Sequence, residues 1–216
     1  MAEPIFIGLD NNIEIIRFLK KGFESLEKEF QLFLDKESNV KEKEKNYSWS
    51  YNETALLGLF QSSLVRNDRN IISLIEYSVY NKINEFIGRA DLYIKDSTNN
   101  LRYIIEAKRY PPCNSQKMAD YFINSKVVFN DLVETKEQLH KYLIAEKDYI
   151  DYGIVICFQL ARKADKNYVY LNEWHKYETN LNGQFNTSNL KNYFETFFYD
   201  ALEELTLHIW GTVYKI

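Results

Sequence analysis

The sequence predicts an α/β fold, a mixed central sheet flanked by helices, and three observations predict it. Apolar residues recur at helical intervals over residues 11–35 and again over 116–147. Between these stretches lie short segments rich in Ile, Leu and Tyr, the composition of strands. A continuous apolar run, residues 152–158, then reads as a strand covered on both faces.

Taken in order, residues 11–35 place Ile15, Phe18, Leu19, Phe23, Leu26, Phe30, Phe33 and Leu34 on one helical stripe. The polar run 36–46, with Lys and Glu alternating over 41–45, reads as a solvated loop or helix end without function. A second helix starts near Ser50 and continues through Leu56, Leu57, Phe60 and Leu64. Strands follow at 71–80, 90–94 and 101–107, the last two joined across the polar stretch 96–100 as in a hairpin. The helical stripe of 116–147 is marked by Leu132, Leu139 and Leu143. Its position between two strands implies one right-handed crossover. An Asn-rich loop at 180–189 precedes a helical-looking 190–205 and a last strand at 206–214. The aromatics of 193–199 read as core three times more readily than as base-stacking platforms.

The length, 216 residues, suits a single domain with a sizeable core. Residues 1–46 read as a helical extension, 47–158 as the core unit, and 159–216 as a helix-and-strand elaboration of it. A net charge of -4 gives no global pull toward nucleic acid or an anionic membrane. Two cysteines, Cys113 in a Pro-Pro-Cys turn and Cys157 in the apolar run, build neither a disulfide framework nor a zinc site. His140, His175 and His208 lack metal spacing and read as structural or surface residues. No stretch approaches the ~20 apolar residues that span a bilayer, and the N-terminus lacks the pattern of a signal peptide. The expected location is cytoplasmic. Walker and Rossmann glycine loops are missing, which argues against nucleotide hydrolysis and dinucleotide binding.

The informative residues interrupt the strands. Gly88-Arg89-Ala90-Asp91 brings an acid into a segment suited to a sheet, and Glu106-Ala107-Lys108 puts an acid and an ammonium on one strand face. If the two strands pair, Asp91 lies beside Glu106. Two carboxylates with a neighbouring ammonium suit a hard divalent cation and its water. Glu-x-Lys is also common by chance, and acids often end strands on solvated edges. Glu53 lies on or beside the apolar stripe of the second helix, so it is either a further ligand or the closing Glu of a Ser50-Tyr51-Asn52-Glu53 capping box, in about equal measure. Gln138 and Tyr142, one turn apart, would bond a phosphate or a carboxylate, or form a polar edge of their helix. Lys108-Arg109, Arg162-Lys163 and Lys166 offer local positive charge for phosphates, with solubility as the plainer role.

In this order and placement, Glu53, Gly88-x-x-Asp91, Glu106-x-Lys108, Gln138-x-x-x-Tyr142 and a closing apolar strand resemble the PD-(D/E)XK nuclease superfamily, nearest its RecB-like branch. The resemblance covers residues 50–158, with Ala90 where the superfamily's name has Pro. It implies a restriction-endonuclease-like core and Mg²⁺-dependent hydrolysis of phosphodiesters, with Mn²⁺ able to substitute. It makes Asp91 and Glu106 metal ligands, Glu53 an acid that only some members have, and Lys108 the catalytic lysine. Gln138 and Tyr142 are then substrate-binding or supporting residues, a part that Arg109 would share by its positive charge beside the site. The expected partner is nucleic acid, DNA ahead of RNA, with no membrane and with a homodimer or a larger defence or repair complex as the assembly. The alternative is a nuclease-fold protein without catalysis, serving such a complex as a binding module.

Overall fold

The computed structural model describes residues 4–7, 9, 13–37, 53–113, 126–145, 152–162, 192–200 and 205–215. In chain order these form β1 (Ile5–Ile7), α1 (Ile13–Glu37), α2 (Glu53–Asn67), β2 (Ile71–Tyr80), β3 (Phe86–Asp96), β4 (Leu101–Cys113), α3 (Lys126–Ala145), β5 (Tyr152–Arg162), β6 (Tyr193–Asp200) and β7 (Leu205–Lys215). The seven strands make one mixed sheet in the order β1-β6-β7-β5-β4-β3-β2. Only β4 and β5 run parallel, and α3 lies in the crossover between them. The remaining neighbours are antiparallel.

The helical stripe of α1 is buried as its spacing requires: Ile15, Phe18, Leu19, Phe23 and Leu26 are all buried. They join Leu56, Leu57, Phe60 and Leu64 of α2 against alternate residues of the sheet, including Leu92, Ile94, Ile105, Ile154 and Ile156. Each fully buried Leu, Ile or Phe is worth about 1.5–3 kcal/mol relative to exposure, so this layer is the main source of stability. At the surface Arg66 Nη1 of α2 lies 2.6 Å from Glu29 of α1, and Lys21 Nζ of α1 lies 2.6 Å from Asp68, the residue after α2. On α3, Leu139 and Leu143 are buried. A Cβ on Gly153 would lie 2.7 Å from Leu143 Cδ1, so α3 rests directly on the backbone of β5.

Residues 152–159 are buried without a break, as the apolar run predicts for a strand between two neighbours with both faces covered. The strand predicted at 206–214 is β7. Three expectations need correction. The helix expected over 190–205 is, from Tyr193 to Asp200, strand β6, whose alternate residues Phe194, Thr196 and Phe198 are buried. The segment 1–46 is no purely helical extension, because Ile5–Ile7 pairs with β6 and α1 packs into the common core. The Pro-Pro-Cys turn is instead the end of β4, reached through an irregularity in register between Tyr110 and Cys113. The side chains of Phe30, Phe33, Leu34, Leu132 and Cys113, the start expected for the long helix at 116, and the Asn-rich loop fall outside the described residues.

Candidate active site

The site is built where the sheet divides. β3 pairs with β4 from Asp96↔Leu101 to Leu92↔Ile105, and the ladder stops there. Beyond that point β3 continues against β2, whereas β4 continues against β5. Asp91 is the first residue of β3 past the division. Its Oδ2 accepts the backbone N–H of Ala107 at 2.7 Å, filling the place of the missing ladder bond. The carboxyl of Glu106, one residue away on β4, lies within hydrogen-bonding reach of Asp91.

Glu106 is 3% exposed, and among the described residues its Oε1 has no hydrogen-bond partner. A buried carboxylate oxygen without a donor is costly. Burial, and then the charge of Asp91, push the Glu106 carboxyl up to about 9, against the attraction of Lys108. Asp91 is also raised, chiefly by burial, with the Ala107 N–H and Lys108 opposing. The metal-free pair therefore holds a proton at neutral pH. Lys108 bears electrostatically on both acids and is half-buried, as expected from its sharing a strand face with Glu106.

α2 approaches the same place. Thr54, Leu57, Ile75, Glu76 and Asp91 line one small cavity, so the first turn of α2 stands at Asp91. Glu53 is the first residue of that helix, and its side chain lies outside the described residues. Among the described residues, no group of three or more His, Cys, Asp or Glu forms a metal cluster, and the acid pair is a cluster of two. It still fits a hard cation. The donors are carboxylate oxygens, one of them buried and unsatisfied, and a divalent ion would displace the shared proton.

Gln138 and Tyr142 form a chain from α3 to β3. Gln138 Nε2 donates to Tyr142 Oη at 2.9 Å, and Tyr142 Oη donates to the Arg89 carbonyl at 3.3 Å. The Tyr142 hydroxyl is packed against Gly88 so closely that no Cβ fits there. Both side chains thus brace β3 two residues before Asp91. Arg109 lies on β4 opposite Phe158, and alternation puts it on the face away from Lys108. The histidines read as expected where described: His140 is exposed, and burial lowers His208 to about 3. His175 lies outside the described residues, as do Lys163 and Lys166.

Two residues at this site escaped the sequence reading, Glu76 and Arg89. Glu76 faces Asp91 across β2–β3, and Arg89 Nη1 bonds its Oε2 at 2.6 Å. The spacing of Arg89 two positions before Asp91 is the one signal that the sequence carries for them.

No family model, curated protein or solved structure matches this chain. No helix among the described residues is long and apolar enough to cross a membrane.

Proposed function

We propose that this chain is a metal-dependent nuclease of the PD-(D/E)XK kind with a restriction-endonuclease-like core, hydrolysing phosphodiester bonds in nucleic acid, DNA ahead of RNA. The observation that carries this reading is the acid pair Asp91–Glu106 at the point where β3 leaves β4, with the charge of Lys108 on both acids. Structural ion pairs seldom leave a buried carboxylate oxygen without a donor. A site built to hold a cation does so, because its oxygens are kept for the ion.

Asp91 and Glu106 would hold Mg²⁺ or Mn²⁺, with Glu53 able to add a third oxygen from the start of α2. When bound, such an ion supplies Lewis-acid stabilisation of phosphoryl charge and a water of lowered pKa. Lys108 would orient the attacking water or donate to the non-bridging oxygen on which charge develops. The Ala107 N–H fixes the rotamer of Asp91 through the 2.7 Å bond, leaving its other oxygen for the cation. Gln138 and Tyr142 would hold β3 in place at the Arg89 carbonyl, two residues before Asp91.

The test is incubation with plasmid DNA, single-stranded DNA and RNA in Mg²⁺, in Mn²⁺ and in chelator, beside Lys108→Ala and Asp91→Asn. Metal-dependent cleavage reduced at least about a hundredfold in both variants is expected. Equal residual cleavage by wild type and Lys108→Ala would point to a contaminant and to the non-catalytic binding module. Calorimetric Mn²⁺ titration of wild type and Asp91→Asn separates the cases further, since a site without metal affinity in the wild type ends the reading.

A further inference from the structure

Glu76 has φ 55° in the middle of β2, one of three non-glycine residues with positive φ among those described. The other two, Asn84 and Asn100, are asparagines in the connections on either side of β3, where that conformation is tolerated. Glutamate inside a strand has no such excuse. The flanking pairs Ile75↔Leu92 and Tyr77↔Ala90 keep their register, so Glu76 stands directly across from Asp91. Arg89 is paired with Ser78, which makes Glu76 its diagonal neighbour. The Arg89–Glu76 bond of 2.6 Å joins side chains that are 58% and 51% exposed. An exposed ion pair returns less than such a backbone conformation costs, so the pair does not explain the strain by stabilising the fold. Residues held this way cluster at working sites. Here the conformation keeps a carboxylate beside Asp91 and gives Arg89 an anionic partner beside the acid pair.

We propose that Arg89 is a backbone-phosphate contact beside the acid pair and that Glu76 is its latch, occupying the guanidinium until a phosphate of the nucleic acid replaces it. This rests on the nuclease reading for the choice of ligand and adds residues to its site. A planar guanidinium exchanges readily between carboxylate and phosphate, because its donor fork suits both. Opening an exposed pair costs little, and the freed Glu76 would turn to solvent.

The test measures binding without turnover, by fluorescence anisotropy in chelator. The probes are a labelled 20-mer DNA duplex, one of its strands, and an RNA of the same sequence, each over a salt series. Arg89→Gln is expected to weaken binding about five- to tenfold and to lower the slope of log Kd against log salt by about one. Arg89→Lys should keep that slope. Glu76→Gln should tighten binding several-fold, and this gain should vanish in the Arg89→Gln background, because Glu76 acts through Arg89. A gain that survives there is plain charge repulsion and overturns the latch. An unchanged slope in Arg89→Gln, or no binding of any probe by the wild type, overturns the proposal as well. Which probe binds tightest sets the substrate class. Binding that follows these rules without cleavage sinks the nuclease reading alone, and cleavage with an unchanged Arg89→Gln slope sinks the latch alone.

Discussion

Asp91 accepts the backbone N–H of Ala107 at 2.7 Å, so a side chain of β3 takes the place of a main-chain partner at the position where the two strands separate. The separation is thereby satisfied rather than frayed, and both carboxyl groups are held at its edge.

The acid pair should make stability fall with rising pH. Glu106 is raised to about 9 in the folded, metal-free protein and Asp91 is raised too, in both cases chiefly by burial. The folded state then binds more protons than the unfolded one between about pH 4.5 and 9, so the contribution is complete below that window and is lost across it. Each pKa unit corresponds to about 1.4 kcal/mol. Thermal melts from pH 5 to 9 should show Tm declining for the wild type in chelator and a flatter profile for Glu106→Gln. Mg²⁺ should restore Tm mainly at the alkaline end, because its binding expels a proton. Superimposable profiles for the two proteins would refute the burial account.

Gly88→Ala should destabilise by about 1–3 kcal/mol, because the new methyl meets the buried Tyr142 ring and hydroxyl. Tyr142→Phe should cost about 1 kcal/mol through loss of its bonds to the Arg89 carbonyl and Gln138. The two changes touch the same contact and should not be additive. Urea melts of the single and double variants decide this, and strict additivity would mean that Tyr142 does not brace β3.

Gly211 and Gly58 should respond in opposite senses to alanine. A Cβ on Gly211 of β7 would fall on the Val155 carbonyl oxygen of β5 and 2.7 Å from Phe194 Cζ, and backbone cannot yield as a side-chain tip can. Gly211→Ala should therefore cost about 3 kcal/mol or more, with loss of soluble protein. Gly58 lies within α2 with nothing inside 4 Å of such a methyl, so Gly58→Ala should gain about 0.5–1 kcal/mol. Chemical denaturation of both variants in one buffer is the comparison, and a stable Gly211→Ala would contradict the close approach of β7 to β5.

The elements that were legible in the sequence are those with one buried and one solvated face. The α1 stripe announces itself because charge fills its other side, and α2 by the helical spacing of Leu56, Leu57, Phe60 and Leu64. β5 was legible for the opposite reason, an apolar run too short for a helix of the core. β6 was not, because Tyr193, Phe194, Phe197, Phe198 and Tyr199 place aromatics at both parities and erase the period of two. β1 is three residues long, too short for any period, and its partner is almost 190 residues away. At the site, Asp91 and Glu106 stood out as acids inside apolar strands. Glu76 did not, since its left-handed backbone comes from tertiary surroundings that no local pattern encodes. Gln138 and Tyr142 were found for their shared helix face, but their bonds run to the backbone of Arg89, and only the packing of α3 over Gly88 determines that.

The pairing of Ile5–Ile7 with β6 has a kinetic side. Once made, these three residues cannot find their partner until Tyr193, Phe194 and Glu195, more than 180 residues further along, have been added. At about 5–20 residues per second, that is a wait of roughly 10–40 s on the ribosome. The half of the sheet from β2 to β5 can close earlier, around the core shared by α1 and α2. The acid pair would then stand assembled on a nascent chain whose far edge is still open, and the last ladder to zip would be the one between β1 and β6.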